Sequence, residues 1–183
     1  MRVLVGFGLL ALAACAEVAI ETSKAPILVT GSSSPIEPQC IKDSEFAIGG
    51  VPIGASEQDV IDVLGAPDMR QTGQSLMLDY VDLRLTYPGL DILVFQDRVV
   101  DITVKDPRLT TPSGLRLGMT EAELFDVFGA AARPNPRWST SEKTVYDIYF
   151  CNGGELFDLG SSFHIEVGPD GTVNKLRIGS DTP

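Results

Sequence analysis

His164 is the only histidine in the 183 residues. A zinc site built on several histidines is therefore excluded, and any nucleophile–base pair rests on this one imidazole. A hydrolase reading would draft Ser161 or Ser162 together with Asp158, but residues so close along a strand or turn rarely converge. No nucleophile-elbow pattern is present either. Acidic residues at Asp59 and Asp62, and at Glu121, Glu123 and Asp126, would need to be held a few ångströms apart across a cleft to act as a hydrolytic pair. Their spacing puts them on helix starts and polar helix faces, where a solvated surface explains them better. Gly49-Gly50 precedes Val51-Pro52 with neither a lysine nor a third glycine in register, so no phosphate loop is encoded. Asp170-Gly171 reads as a hairpin turn, since calcium requires a longer run of alternating oxygen ligands. No catalytic residue, metal site or cofactor is expected, and the chain reads as non-enzymatic.

The cysteines carry more chemistry. Arg2 is followed by an uncharged apolar run from Val3 to Ala14, too short to span a bilayer, which reads as an export signal over residues 1–14. Cys40 and Cys151 remain wherever that signal is cleaved, and two thiols left in an exported domain commonly pair. A disulfide between them is expected; the alternative is a buried Cys151 and a free thiol at Cys40.

With 14 basic against 25 acidic residues the formal charge is −11, which repels a phosphate backbone. Nucleic acid is not expected as a partner. A hydrophobic content of 44% suffices for a core.

The elements that must position any site come in two similar runs. Ile53-Gly54-Ala55-Ser56-Glu57-Gln58-Asp59 and Leu117-Gly118-Met119-Thr120-Glu121-Ala122-Glu123 both read as a capping box opening a helix. Val60, Val63 and Leu64, and again Leu124, Val127 and Phe128, would form one apolar face at i, i+3, i+4. Gly65 and Gly129 would end each helix in a left-handed residue. Helices this short do not persist alone, so each must lie on a sheet. After the first, Gln71-Thr72-Gly73-Gln74 reads as a turn into a strand over Leu76 to Tyr80. Val81, Leu83, Leu85 and Tyr87 then alternate with polar residues, and Ile92 to Phe95 and Val99 to Val104 form two further strands. After the second helix come strands over Thr144 to Phe150, Phe163 to Val167 and Val173 to Ile178, with a turn at Gly168-Pro169-Asp170-Gly171.

These boundaries give a flexible tether over residues 15–47, rich in Ser, Thr, Pro and Ala, a first repeat unit over 48–104, a linker over 105–114 and a second unit over 115–179. The second unit is the longer, chiefly through Ala130 to Ser141. An enlarged loop is where a function is sought first. It holds Arg137 and Trp138, the only tryptophan, and both are expected in a partner contact. Tyr80, Tyr87, Tyr146 and Tyr149, all on expected strands, are further candidates, because an amphipathic ring suits an interface.

Leu12-Ala13-Ala14-Cys15 resembles the lipobox of bacterial lipoproteins. That resemblance implies lipid modification of Cys15 as the first mature residue, with ordinary cleavage after Ala13 or Ala16 as the alternative. Ala16 stands where an aspartate would, by enterobacterial rules, hold the protein at the inner membrane. The expected location is therefore the periplasmic face of the outer membrane, or otherwise a soluble periplasmic or secreted state.

The doubled helix-then-strands pattern resembles the tandem-repeat β-lactamase-inhibitor-like fold and the small outer-membrane lipoprotein family SmpA/OmlA, also called BamE. It implies an α+β fold: two tandem helix-plus-antiparallel-sheet repeats, whose sheets could join edge to edge into one continuous curved sheet with helices on one side. The expected function is binding another envelope or exported protein, either to assist outer-membrane assembly or to inhibit an exported enzyme. The alternative is binding a small apolar or peptidoglycan-derived ligand on the concave sheet.

Overall fold

A computed structural model describes residues 40–74, 81–152, 155–156 and 161–180. The signal, Cys15, the strand expected over Leu76 to Tyr80, and Asp158 lie outside the described residues.

The elements run β1 (Cys40–Ile41), β2 (Ala47–Ile48), β3 (Val51–Pro52), α1 (Glu57–Leu64), β4 (Met69–Gln74), β5 (Val81–Tyr87), β6 (Leu90–Phe95) and β7 (Arg98–Val104). They continue with α2 (Glu121–Phe128), β8 (Thr144–Asn152), β9 (Glu155–Leu156), β10 (Ser161–Val167) and β11 (Val173–Ser180). The fold is mixed α+β, with a large open sheet in the order β1-β8-β10-β11-β7-β6-β5-β4. β9 folds back on β8, and β2 and β3 form a separate ribbon. Only β1 runs parallel to its neighbour. Strands β7 and β11 pair antiparallel from Val104↔Leu176 to Asp101↔Gly179, so the strands that follow α1 and those that follow α2 belong to one sheet.

Register sorts the side chains into rows, because successive residues of a strand face opposite ways. One row crosses seven strands as Arg70, Leu85, Ile92, Ile102, Ile178, Phe163 and Ile148. All but Arg70 are buried. The next row on the opposite face reads Gln71, Arg84, Leu93, Asp101, Gly179, Ser162 and Tyr149. The sheet therefore has an apolar face and a polar one. Both helices lie on the apolar face: Glu57 of α1 takes the Arg70 guanidinium at 2.7 Å, and Phe128 of α2 lies 6.0 Å from the Phe163 ring.

Each helix opens with a complete capping box. The Ser56 hydroxyl accepts from the Asp59 N–H at 3.2 Å while the Asp59 carboxylate accepts from the Ser56 N–H at 2.9 Å. Thr120 and Glu123 repeat this at 3.2 and 2.8 Å. Gly65 (φ 82°, ψ −168°) and Gly129 (φ 50°, ψ −126°) do end the helices at positive φ. Neither occupies the left-handed helical well expected of it; both sit in a region essentially reserved for glycine.

The helical faces are also narrower than the sequence suggests. Val60, Leu124 and Phe128 are buried, but Val63 is 52% exposed and Val127 is exposed as well. A two-turn helix laid on a sheet touches it along one line, and the i+3 position turns away. Burial of one such aliphatic or aromatic side chain contributes about 1.5–3 kcal/mol.

The residues before each helix are tied to the sheet in the same manner. Gly54 N–H donates to Val99 C=O (2.8 Å) and Val99 N–H to Ala55 C=O (2.7 Å). Gly118 N–H likewise donates to Val173 C=O, and Val173 N–H to Met119 C=O, both at 2.8 Å.

Gln71 to Gln74, expected as a turn, is the end of strand β4, paired residue for residue with Gln74↔Val81 through Met69↔Thr86. An edge strand with one neighbour needs no apolar alternation, which is why its polar sequence hid it. The turn between β6 and β7 holds Gln96 and Asp97 at φ 48° and 57°, the two-residue hairpin geometry that follows strand twist. The Asp97 carboxylate then accepts from the Glu57 N–H at 3.2 Å, at the start of α1.

Cys40 and Cys151 form a disulfide, with Cα atoms 5.1 Å apart and a separation of 111 positions in sequence. It fastens β1 to β8. Phe46, just beyond, stacks on Phe163 with centroids 4.7 Å apart and meets Phe150 edge-on at 5.9 Å, which seals the chain start against the core.

Candidate functional site

The enlarged loop between α2 and β8 is built around Asn135. Its backbone N–H donates to Val145 C=O at 2.7 Å, beside a bridge between Pro134 and Tyr146. Its side-chain amide donates to Asp147. Its side-chain oxygen accepts from the Arg137 N–H at 2.9 Å. Its carbonyl accepts from the Ser139 N–H and hydroxyl at 3.0 and 2.8 Å and from the Trp138 N–H at 3.3 Å. The Ser139 hydroxyl in turn accepts from the Val145 N–H at 2.9 Å. One asparagine thus takes the backbone N–H groups of Arg137, Trp138 and Ser139 and lays the loop along the outer edge of β8, covering groups that an exposed edge would leave unpaired.

Asp147 is the fixed point beneath. It is buried, on the polar face of the sheet, and its second oxygen lies 2.9 Å from His164 Nδ1. His164 Nε2 lies 3.5 Å from Glu166, whose carboxylate accepts from Lys175 and also meets Lys143, both at 3.0 Å. Burial works to raise the Glu166 pKa, but the two ammonium groups outweigh it and hold the carboxyl below its ordinary value of 4.5.

At the tip of the loop Trp138 is 53% exposed. The Arg137 guanidinium carbon sits 5.1 Å from its ring centroid, within cation–π range. A flat amphipathic ring under a guanidinium, on a loop already ordered by hydrogen bonds, has the character of a binding surface.

The other expected contact residues fare differently. Tyr87 and Tyr146 are only 6% and 2% exposed. The Tyr87 hydroxyl donates to Gly65 C=O at 3.1 Å and that of Tyr146 to Glu121, while Phe125 meets Tyr146 edge-on at 5.7 Å. Both rings clamp a helix to the apolar face and offer nothing to a partner: alternation identified the strands but not which face would be covered. Tyr149 is half-buried beside Ser162, and Tyr80 lies outside the described residues. Asn135 and Asp147 were missed by sequence reasoning, since their pairing depends on a loop folding back across twelve residues. His164 finds Asp147 on the neighbouring strand.

The remaining polar face is a field of cross-strand ion pairs. Arg177 holds Asp101, whose pKa burial nonetheless raises, and Lys105 meets Asp91 at 2.5 Å. Gly179 leaves the space in which the Asp101 carboxylate lies. Two clefts of about 240 and 500 Å³ on this face share Arg84 and Leu93 and are otherwise almost wholly polar. Among the described residues no cluster of three or more His, Cys, Asp or Glu could hold a metal ion, and no helix is long and apolar enough to cross a membrane.

No family model and no curated protein matches the chain. Among solved structures it is similar to a cysteine-rich secretory protein from Staphylococcus aureus, at 13% identity and a TM-score of 0.45, over 79% of this chain and 48% of that one. It is similar also to an extracellular protein containing an SCP domain from Bacillus anthracis, at 11% identity and TM-score 0.42, over 70% and 44%. A β-lactamase-inhibitor-like protein from Streptococcus mutans matches at 11% identity and TM-score 0.31, over 68% and 82%. The chain spans about half the length of the first two.

Proposed function

We propose that this chain is a non-enzymatic envelope lipoprotein, anchored through Cys15, that binds another exported or envelope protein through the Arg137–Trp138 loop. The observation that carries the reading is Trp138, half-exposed under its own arginine on a loop pinned by Asn135. A ring held in place before binding loses little entropy on binding, which is what an interface anchor requires. The partner is either an outer-membrane protein under assembly or an exported enzyme that the chain inhibits.

The two helix-and-strand runs are, in this reading, tandem copies of one unit. The matched capping boxes and the matched ties of Gly54 to Val99 and Gly118 to Val173 support it.

Labelled palmitate entering the wild-type protein but not Cys15→Ser is the expected result for the anchor, and equal labelling of both would end it. Inhibition would appear as loss of a hydrolase's activity on titration, and assembly as co-purification with membrane β-barrels. Intact protein that does neither would contradict the proposal.

A further inference from the structure

The two ends of the sheet are treated unequally. At one end β8 is covered by β1, β9 and the Pro134–Asn135 segment. At the other end, among the described residues, nothing pairs with the outer side of β4. Natural edge strands are usually blunted by a bulge, a proline, a lysine or an inward charge. β4 has no bulge, proline or lysine, and its inward charge is Arg70, which stands in the row of the apolar face. Its six pairs with β5 are regular, and Met69 through Gly73 are exposed. Its one charge, Arg70, is already answered by Glu57 at 2.7 Å.

The surface beside this edge has a definite chemistry. Gly73 stands opposite Asp82 in the register, and a Cβ placed on Gly73 would meet nothing within 4 Å. The gap opens into the 500 Å³ cleft lined by Gln71, Thr72, Gly73, Asp82, Arg84 and Leu93. The Asp82 carboxylate has no hydrogen-bond or ion-pair partner among the described residues, and the whole chain carries a net charge of −11.

We infer that β4 accepts an extended, basic segment of a partner protein as an added strand, with a lysine or arginine crossing Gly73 to the Asp82 carboxylate. An added strand lies about 10 Å from β5, two strand spacings away, a distance that a lysine side chain and an aspartate span between them. Backbone hydrogen bonds to the outward groups of β4 supply affinity, and the Asp82 contact supplies the choice of side chain. Arg84, on the same face two residues on, disfavours a second cation beside the first. This site is at the opposite end of the sheet from the Trp138 loop and does not rest on it.

The test uses the full mature chain and a synthetic seven-residue peptide of alternating threonine and valine with a central lysine. It is compared with a version bearing glutamate at the centre and one with methylated backbone amides, by fluorescence anisotropy of a labelled terminus. The lysine peptide is expected to bind about fivefold tighter than the glutamate peptide, with Asp82→Asn abolishing the difference, the methylated peptide not binding, and Trp138→Ala changing nothing. Equal binding of the lysine and glutamate peptides, or undiminished binding after methylation, would overturn the proposal. So would a concentration-dependent dimer in sedimentation that Gly73→Pro abolishes, since the edge would then be occupied by a second copy of this chain.

Discussion

Asn135 donates its side-chain amide to one oxygen of the buried Asp147 while the other oxygen holds His164 Nδ1 at 2.9 Å. A loop residue and a strand histidine thereby share one carboxylate, and the position of Trp138 depends on that sharing.

Replacing Asn135 by alanine should accordingly leave Asp147 short of a donor in a buried place. A loss of about 1–3 kcal/mol in unfolding free energy is expected, together with faster depolarisation of Trp138 fluorescence in the folded protein. Unchanged stability and anisotropy would show that the loop is ordered by something else.

Reducing the Cys40–Cys151 bridge frees a loop of about 110 residues, for which the chain-entropy model gives about 4–5 kcal/mol. The paired Cys40→Ser, Cys151→Ser protein should melt well below the oxidised wild type, and the two reduced forms should melt together. Accessible thiols at these positions in unfolded, unreduced protein would refute the bond.

The depressed Glu166 carboxyl fixes the sign of one pH effect. Its folded pKa lies below the ordinary 4.5, so its ion pairs with Lys143 and Lys175 contribute fully above that value and are lost as pH falls through the folded pKa. Urea midpoints measured from pH 6 down to pH 3 should drop more steeply for the wild type than for Glu166→Gln. Parallel curves would contradict the assignment.

Ser56→Ala and Thr120→Ala each remove the hydroxyl of a capping box and should cost about 1 kcal/mol. The two sites serve separate helices, so the double variant should lose close to the sum. A negligible loss at either would mean that the carboxylate partner alone, Asp59 or Glu123, holds that helix start.

Those caps were legible in the sequence because every group in them lies within three residues. The strands showed themselves wherever one face is apolar and the other polar. β4 did not, since an edge strand of Met69, Arg70, Gln71, Thr72 and Gly73 buries too little to alternate. Nor could the sequence separate Tyr146, inside, from Trp138, outside: the tyrosine faces α2 only because the sheet register turns it there. The Asn135–Asp147–His164 cluster joins a loop and two strands, and no local pattern encodes such a meeting.

The central claim is that Trp138 is the anchor for a partner protein. A photoreactive phenylalanine analogue placed at position 138, and as control at the equally exposed Val63 on α1, would be illuminated in intact cells. A discrete crosslinked protein is predicted from position 138, absent from position 63 and lost when Arg137 is also replaced by alanine. Crosslinks of the same pattern from both positions, or none from position 138 in cells where the protein is normally folded and exported, would contradict it.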